Sequence, residues 1–356
     1  MQHVWQGMLG FPERWRSTAV HEKGAAPRLS PANVEDIMKA TLLCTAALAV
    51  AAVPALADGP LTTPEELDAM LGDENLAILD VRSMAEVDTE KFKTLPDHRN
   101  YAKGHIPGAV DANYQVSGWR DQMGRIRAML PEPETMQEII RALGVDNDDT
   151  VVIYTGGTSP KAIDLGSATR VYWTFKALGH DDVTILDGGF DGWVEAGYAL
   201  STEAVTPERG DFTAELQLDM VVDGAMVELA GRNGIELIDG RPTNQFLGQA
   251  QSGSAKNPGT IPGAASVASP DLVAEGGRHF KSVDELEAMF TRAGLEQGDA
   301  GYAFCNTGHF ASVAWFAGSE LLGRDVELYD GSMYDWTFVR DGATVIGKLP
   351  EEEEEG

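Results

Sequence analysis

The second half of this chain repeats the order of sequence signals found in the first half. Residues 78–82 (Ile-Leu-Asp-Val-Arg) and 236–241 (Glu-Leu-Ile-Asp-Gly-Arg) each have the pattern of a short buried strand that ends in Asp-x-Arg. Gly-His-Ile-Pro-Gly-Ala at 104–109 returns as Gly-Thr-Ile-Pro-Gly-Ala at 259–264. The period of about 155 residues is far longer than that of a solenoid. The repeat therefore predicts two copies of one domain.

Short apolar strands alternate with helical patterns in both halves. In the first half, strands at 76–82, 150–154 and 183–187 are separated by helical patterns such as 136–143 and 168–178. This alternation predicts an α/β fold in which each domain has a parallel sheet flanked by helices. Ligands of such sheets bind beyond the carboxyl ends of the strands.

The composition of the connecting segments suggests the domain boundaries. We predict a first domain at 60–201, a polar linker at 202–212, a second domain at 213–347 and an acidic tail at 348–356. The tail ends in a run of five glutamates, which is more typical of a solvated end than of a docking site.

A cysteine stands where a strand leads into a helix in the second copy. Cys305 follows the apolar residues 302–304 and precedes a short loop, and a helical pattern then continues to Gly323. The predicted loop consists of Asn306, Thr307, Gly308, His309 and Phe310. Unpaired amides and the helix dipole at such a junction favour a thiolate, which is nucleophilic. The alternative is a buried and inert cysteine.

The equivalent position in the first copy has a different residue. Thr155 follows the strand at 150–154, where the second copy has Cys305. A threonine without an activating base is a poor nucleophile. We therefore expect the first domain to be catalytically silent and to cover one side of the cleft.

An apolar segment near the start indicates export. Residues 40–57 are uncharged and Ala/Leu-rich, follow Met38 and Lys39, and end in Ala-Leu-Ala. We predict a cleavable signal peptide at 38–57 after an upstream segment, and a periplasmic or secreted protein with no stable membrane anchor after cleavage. A retained anchor is the alternative, because the run is long enough to span a bilayer.

Export would leave Cys305 as the sole cysteine. The sequence contains two cysteines, and Cys44 would be removed with the signal peptide. Secreted domains normally pair their cysteines, so an unpaired one is a candidate reactive group.

The charge of the chain restricts its partners. The sequence has 27 basic and 56 acidic residues, a net charge of −29. Nucleic acid is an unsuitable partner for such a field. The histidines lack metal-ligand spacing and no dinucleotide-binding glycine motif is present, so neither a metal nor a cofactor is expected.

Together these motifs resemble the tandem-domain rhodanese-type sulfurtransferases, the family of thiosulfate and 3-mercaptopyruvate sulfurtransferases. The resemblance rests on the Asp-x-Arg strand ends, the Gly-x-Ile-Pro-Gly-Ala turns, the cysteine loop and the Asp-Gly strand ends followed by tryptophan. It implies a five-stranded parallel sheet in each domain. It also implies that the second domain transfers sulfane sulfur from a small sulfur-containing anion to a thiol or a protein acceptor, through a persulfide on Cys305.

The resemblance also implies supporting roles around the cysteine. Asp239, Arg241 and Asp330 are expected to hold the loops that frame the site, although each could instead belong to an ordinary surface ion pair. Ser312 could cap the following helix or be solvated. His309 could supply charge or a proton, or could point to solvent.

Three departures from the family pattern reduce the expected positive charge of the second domain. Thr307 and Phe310 occupy loop positions that are often basic in relatives that use thiosulfate, and Gln245 replaces an arginine. Thr260 stands where the first copy has His105. Phe310 would instead suit an apolar acceptor or a protein surface.

Two alternative functions follow from the same residues. A non-turnover sulfur relay or binding module for an envelope partner protein would use the same cysteine. A tyrosine phosphatase-like enzyme would need Cys-x5-Arg, whereas Ala311 follows Cys305 at that spacing.

Overall fold

The computed structural model describes residues 59–83, 101–157 and 162–350. Within them the chain forms two five-stranded parallel sheets flanked by helices, which confirms the predicted tandem α/β fold. The signal peptide predicted at 38–57 and the glutamates of the acidic tail lie outside the described residues. Among the described helices, none combines the length and hydropathy needed to cross a membrane.

The first domain is built around one sheet with strand order β1-β7-β6-β2-β3. A separate antiparallel pair, β4 and β5, forms a hairpin between β3 and the second helix. The elements in chain order are β1 (Leu61–Thr62), α1 (Pro64–Met70), β2 (Leu76–Asp80), β3 (Val110–Asp111), β4 (Asp121–Met123), β5 (Ile126–Met129), α2 (Pro133–Ala142), β6 (Thr150–Tyr154), α3 (Ile163–Ala177), β7 (Val183–Leu186) and α4 (Gly189–Glu195).

The second domain repeats this arrangement, with strand order β10-β9-β11-β12-β8. Its last two helical segments each continue into a π-helical turn, Phe316–Leu321 and Asp335–Val339. The elements are β8 (Val221–Val222), α5 (Gly224–Asn233), β9 (Glu236–Asp239), α6 (Thr243–Phe246), β10 (Ala265–Ser266), α7 (Val283–Arg292), β11 (Gly301–Phe304), α8 (His309–Trp315), β12 (Val326–Tyr329) and α9 (Ser332–Tyr334).

The sheet registers align the two copies residue by residue. Asp80 of β2 lies opposite Tyr154 of β6, and Asp239 of β9 lies opposite Phe304 of β11. Thr155 and Cys305 each come next, at the carboxyl end of the central strand. The structure thus places these two residues at equivalent positions, as the repeat predicts.

Helix α3 of the first domain packs against helix α8 of the second. The Tyr172 ring lies 6.0 Å from the Trp315 ring and 5.0 Å from the Phe316 ring. Thr169 Oγ1 lies 2.8 Å from Ser312 Oγ in the same contact. Apolar residues of both domains form one continuous core here. The cysteine loop, which precedes α8, therefore lies at the junction of the two domains.

Candidate active site

Cys305 is the first residue after β11 and is a free, buried thiol. Its backbone N–H donates to Ser332 Oγ at 3.1 Å, and the N–H of Gly308 donates to the same oxygen at 3.1 Å. Ser332 Oγ in turn donates to the carbonyl of Tyr329 at 2.9 Å. One serine hydroxyl thus fixes both ends of the cysteine loop.

The loop is shorter than the sequence suggests. The sequence predicts a loop from Cys305 to Phe310, but helix α8 begins at His309, so the loop proper ends at Gly308. Gly308 has φ +80°, and a side chain there would overlap Arg170 and Asp330. Only glycine satisfies both conditions. Because the turn at Gly308 is tight, the helix starts only four residues after Cys305. The spacing of hydrophobic residues in the sequence does not reveal this early start.

Ser332 was missed by the sequence analysis, although the repeat marks it. It occupies the position of Gly189 in the first copy, where φ is +58°. Ser332 has nearly the same φ, +52°. A non-glycine residue in this region carries strain, and such strain concentrates at functional sites. In the second copy this strain accompanies a hydroxyl that holds the cysteine loop.

The loop amides are not all used by the protein. The N–H groups of Asn306 and Thr307 have no acceptor among the described residues. Asn306 Nδ2 donates to Gln245 Oε1 at 3.1 Å, which places Gln245 beside the loop. Free amides in a tight loop are a common way to bind an anion.

The first domain contributes a fully buried guanidinium, Arg170 of α3, which sequence analysis also missed. Arg170 Nη1 donates to Asp330 Oδ1 at 2.5 Å, while Nε and Nη2 are buried without a partner among the described residues. Burial alone would lower the pKa of Arg170, but Asp330, Tyr114 and Cys305 together raise it. Arg170 is therefore charged and close enough to the cysteine to interact with it electrostatically. Buried N–H groups without acceptors are rare and need an explanation.

A second arginine from the first domain lies near the same place. Arg120 lies 5.0 Å from the centre of the Tyr114 ring, and its buried Nη1 has no hydrogen-bond partner within the described part of the chain. Its charge acts on His309. Loop residues 306–310 include no lysine or arginine, but the first domain places the charges of Arg120 and Arg170 near this loop.

His309 neither points to solvent nor carries charge, which corrects both expectations. Its Nε2 lies 2.9 Å from the carbonyl of Ile163, so Nε2 carries the proton. Nδ1 then accepts from the Tyr114 hydroxyl at 3.1 Å. Burial lowers the pKa of His309 to about 3, and the nearby charge of Arg120 acts in the same direction. His309 is a neutral contact between the two domains.

The supporting acidic residues are buried rather than at the surface. Asp330 binds Arg170 through Oδ1 and accepts from the backbone N–H of Leu130 through Oδ2 at 2.6 Å. Arg241 donates to Asp239 through Nε and Nη2 and to the carbonyl of Gly259 at 2.8 Å. Asp239 and Arg241 thus join the end of β9 to the Gly-x-Ile-Pro turn, and this pair is not an ordinary surface ion pair.

The difference between Thr260 and His105 has a structural explanation. In the first copy, the Tyr154 hydroxyl donates to Asp80 Oδ2 at 2.7 Å. The second copy has Phe304 in place of Tyr154, and the hydroxyl of Thr260 donates to Asp239 Oδ2 at 2.7 Å instead. The buried carboxylate keeps a hydroxyl partner, which comes from the strand in one copy and from the turn in the other.

The remaining predicted residues have structural surroundings. Ser312 is neither a helix cap nor solvated. It lies within α8 and is buried because α3 covers this face of the helix. Its hydroxyl donates to the carbonyl of His309 at 2.7 Å. Phe310 is partly buried against the core, and its carbonyl accepts from Ser269 Oγ at 2.6 Å. Thr307 is partly exposed.

Comparison with known proteins identifies the fold and the family. A family description of the rhodanese-like domain matches residues 63–196. The chain is 33% identical over 268 residues to the 3-mercaptopyruvate sulfurtransferase of Escherichia coli K12, covering 75% of this chain and 90% of that protein. It is 31% identical over 246 residues to the thiosulfate sulfurtransferase of Gallus gallus, covering 67% of this chain and 80% of that protein.

A solved structure agrees with this assignment. The crystal structure of SseA from Escherichia coli, described as a 3-mercaptopyruvate sulfotransferase with the rhodanese fold, superposes with a TM-score of 0.65 at 30% identity. The superposition covers 77% of this chain and 98% of SseA. With two rhodanese-like sheets and a cysteine only at the second strand end, the chain belongs to the family of rhodanese-type sulfurtransferases.

Proposed function

We propose that this sulfurtransferase takes sulfane sulfur from a small anionic donor such as thiosulfate onto Cys305 as a persulfide, and passes it to a thiophilic acceptor. The observation that carries the proposal is the unused Nε and Nη2 edge of Arg170, buried beside the cysteine loop. Arg82 and Arg241 use this same edge to hold the carboxylates of Asp80 and Asp239.

The edge of Arg170 is suited to a bidentate anion. Two parallel N–H groups match the oxygens of a carboxylate or of a sulfonate-type group. An anionic donor bound there and at the free amides of Asn306 and Thr307 would have its transferable sulfur available to Cys305. The two sets of donors come from different domains, which explains why one sheet alone would not form the site.

The chemistry occurs in two half-reactions. The Cys305 thiolate attacks the outer sulfur of thiosulfate; a new S–S bond forms, the S–S bond of the donor breaks, and its electron pair leaves with sulfite. The acceptor, a thiol or cyanide, then attacks the outer sulfur of the persulfide and releases the Cys305 thiolate. This is covalent catalysis with a ping-pong order.

The choice of donor follows from the anionic group and not from the cysteine. Relatives of this chain are named both for thiosulfate and for 3-mercaptopyruvate. Both donors present oxygens that the Arg170 edge can bind. Arg120, whose Nη1 also lacks a partner among the described residues, adds positive charge for either of them.

We also propose that the protein acts outside the cytoplasm after cleavage near residue 57. The support is the apolar segment at 40–57 and its small-x-small end. The test is the amino-terminal sequence of the protein recovered from the periplasm or medium of its host. A mature form that begins near Asp58 is expected, and retention of the full chain in the cytoplasm would contradict export.

The enzymatic proposal is tested by steady-state kinetics. Each donor, thiosulfate and 3-mercaptopyruvate, is combined with cyanide and with a small thiol, and Cys305→Ser is the control. We expect turnover with at least one donor, parallel double-reciprocal plots and no turnover by the variant. A wild type that accepts sulfur but never releases it to a small acceptor would favour the relay function.

A further inference from the structure

The hairpin of β4 and β5 is basic in an acidic protein. Residues 120–129 contain Arg120, Arg125 and Arg127 but a single acid, Asp121, whereas the whole chain has a net charge of −29. Arg125 lies in the two-residue turn between the strands, and both Arg125 and Arg127 are exposed. This basic segment stands out in an acidic chain, so its location relative to the cysteine loop is informative.

The hairpin extends from the first domain to the cysteine loop of the second. Arg127 lies 4.7 Å from the centre of the Tyr334 ring and donates through Nη2 to Ser254 Oγ at 2.5 Å. The backbone N–H of Tyr334 donates to the carbonyl of Asn306 at 3.1 Å. Arg127 is therefore separated from the cysteine loop by a single residue.

The other end of the hairpin is held at the same site. The backbone N–H of Leu130, the residue after β5, donates to Asp330 Oδ2 at 2.6 Å. Asp330 is also the partner of the buried Arg170. The basic hairpin thus lies beside the cysteine loop and the Arg170–Asp330 pair, and does not project away from them.

The arginines differ in depth. Arg125 is exposed at the turn and Arg127 lies on Tyr334, whereas Arg120 has a buried nitrogen without an acceptor among the described residues. Arg170 is the innermost and is completely buried. The positive charges near the cysteine loop therefore range from exposed to completely buried.

We propose that the β4–β5 hairpin is an electrostatic guide that captures small anionic sulfur donors and directs them past the acidic surface to Cys305. It rests on the proposed function for the identity of the donor, but the field itself can be measured independently. Clefts lined by one sign of charge raise the local concentration and the association rate of oppositely charged ligands. The effect of exposed charges is screened by salt.

The test compares two alkylating reagents of similar size that differ in charge. The full chain is treated with iodoacetate or with iodoacetamide, and modification of the Cys305 peptide is followed by mass spectrometry. The ratio of the two rate constants reports the potential at the sulfur. In Arg125→Glu, we expect this ratio to fall by about threefold or more at low salt, and the difference to disappear near 1 M salt.

Arg232→Glu is the matched control. Arg232 is exposed near the end of α5, which leads to the amino end of β9, whereas Cys305 follows the carboxyl end of the parallel strand β11. The control changes the net charge by the same amount, but at the amino ends of the strands, away from Cys305. Its ratio should stay within experimental error of the wild type.

Kinetics with thiosulfate separate the guide from the enzymatic proposal. For Arg125→Glu, kcat/KM should fall by about threefold or more at low salt with kcat unchanged, and the dependence on ionic strength should weaken. If both variants give the same ratios and the same salt dependence while sulfur transfer proceeds normally, the guide is wrong and the enzymatic proposal stands. If neither reagent modifies Cys305, both proposals are contradicted, because the sulfur then has no open path.

Discussion

Arg170 of the first domain donates to Asp330 of the second domain at 2.5 Å, and both side chains are buried. Only one nitrogen of the guanidinium makes this contact, and the other two have no partner within the described residues. A buried pair of this kind contributes little net stability, because desolvation offsets the attraction. Its value here is positional: Asp330 fixes Arg170 so that the remaining edge is available beside Cys305.

Replacing Arg170 with lysine should impair donor binding. Lysine keeps the positive charge and can reach Asp330, but it lacks the planar edge that binds an anion bidentately. We expect kcat/KM for the donor to fall by about 100-fold, equivalent to the loss of about 2.7 kcal/mol. The measurement is steady-state kinetics at several donor concentrations, with the free energy of unfolding from urea denaturation.

Arg82→Lys is the control for that substitution. Arg82 forms a buried ion pair with Asp80 in the first domain and uses both Nε and Nη2 for it. Its loss should lower stability without changing the donor KM. Equal changes in donor KM for the two variants would show that Arg170 acts only through folding.

Two substitutions at Ser332 should separate the effect of its hydroxyl on the cysteine loop from the effect of its strained backbone on stability. Ser332→Ala leaves two amides at the ends of the cysteine loop without their acceptor and keeps φ at +52°. Ser332→Gly loses the same hydrogen bonds but relieves the strain, so it should be more stable than the alanine variant by about 1 kcal/mol. Both should lose about tenfold or more in kcat. An alanine variant with wild-type kcat would show that the hydroxyl does not shape the loop.

His309 should make the free energy of unfolding depend on pH. It should not act as a general base in the pH dependence of kcat. Its pKa is lowered from 6.5 to about 3, so the unfolded chain binds a proton that the folded protein excludes. Stability from this group is present above pH 6.5 and is lost as the pH falls towards 3, by at most about 1.4 kcal/mol per pH unit.

The measurement is urea unfolding of wild type and His309→Gln between pH 7.5 and pH 5. We expect a flatter dependence for the variant, because glutamine has no proton to gain. His180, whose burial also lowers its pKa, remains in both proteins and cancels in the comparison. Identical slopes would contradict the assignment of a neutral imidazole held by hydrogen bonds at both nitrogens.

The hydroxyl partners of the two buried aspartates provide a matched pair of substitutions. Thr260→Val removes the donor to Asp239, and Tyr154→Phe removes the donor to Asp80. Each should cost about 1.5–3 kcal/mol of unfolding free energy, since hydrogen bonds to charged groups fall in that range. Only Thr260→Val should also lower kcat, because Asp239 lies opposite Phe304, next to the cysteine. Equal kcat values would show that the turn has no influence on the site.

The fold could be predicted because the repeat records it twice. The strand ends Asp-x-Arg and Asp-Gly occur in both halves, and the registers place Asp80 and Asp239 at equivalent positions. Cys305 was identifiable because the chain contains so few cysteines and because this one follows a buried strand. The local hydrophobic pattern and the comparison of the two repeats are enough to predict features that depend on residues close in sequence.

The basic partners of the cysteine loop could not be predicted, because they come from the other domain. Arg170 belongs to a helix that is buried on nearly all sides between the two domains, where an arginine gives no amphipathic signal. Tyr114, which Arg120 contacts, binds His309 across a separation of 195 residues, and no local pattern records such a pairing. From the local pattern alone, His309 falls in the loop, and the absence of lysine and arginine there suggests a site poor in positive charge. Ser332 was within reach of sequence reasoning, since it replaces a glycine of the first copy.

The most direct test of the account is the mass of the Cys305 peptide after brief exposure to thiosulfate. We predict a gain of one sulfur atom on that peptide, its removal by cyanide with release of an equal amount of thiocyanate, and no gain at this position in Cys305→Ser. Thiocyanate formation by Cys305→Ser at the wild-type rate, or wild-type turnover with no sulfur ever bound at Cys305, would contradict the account.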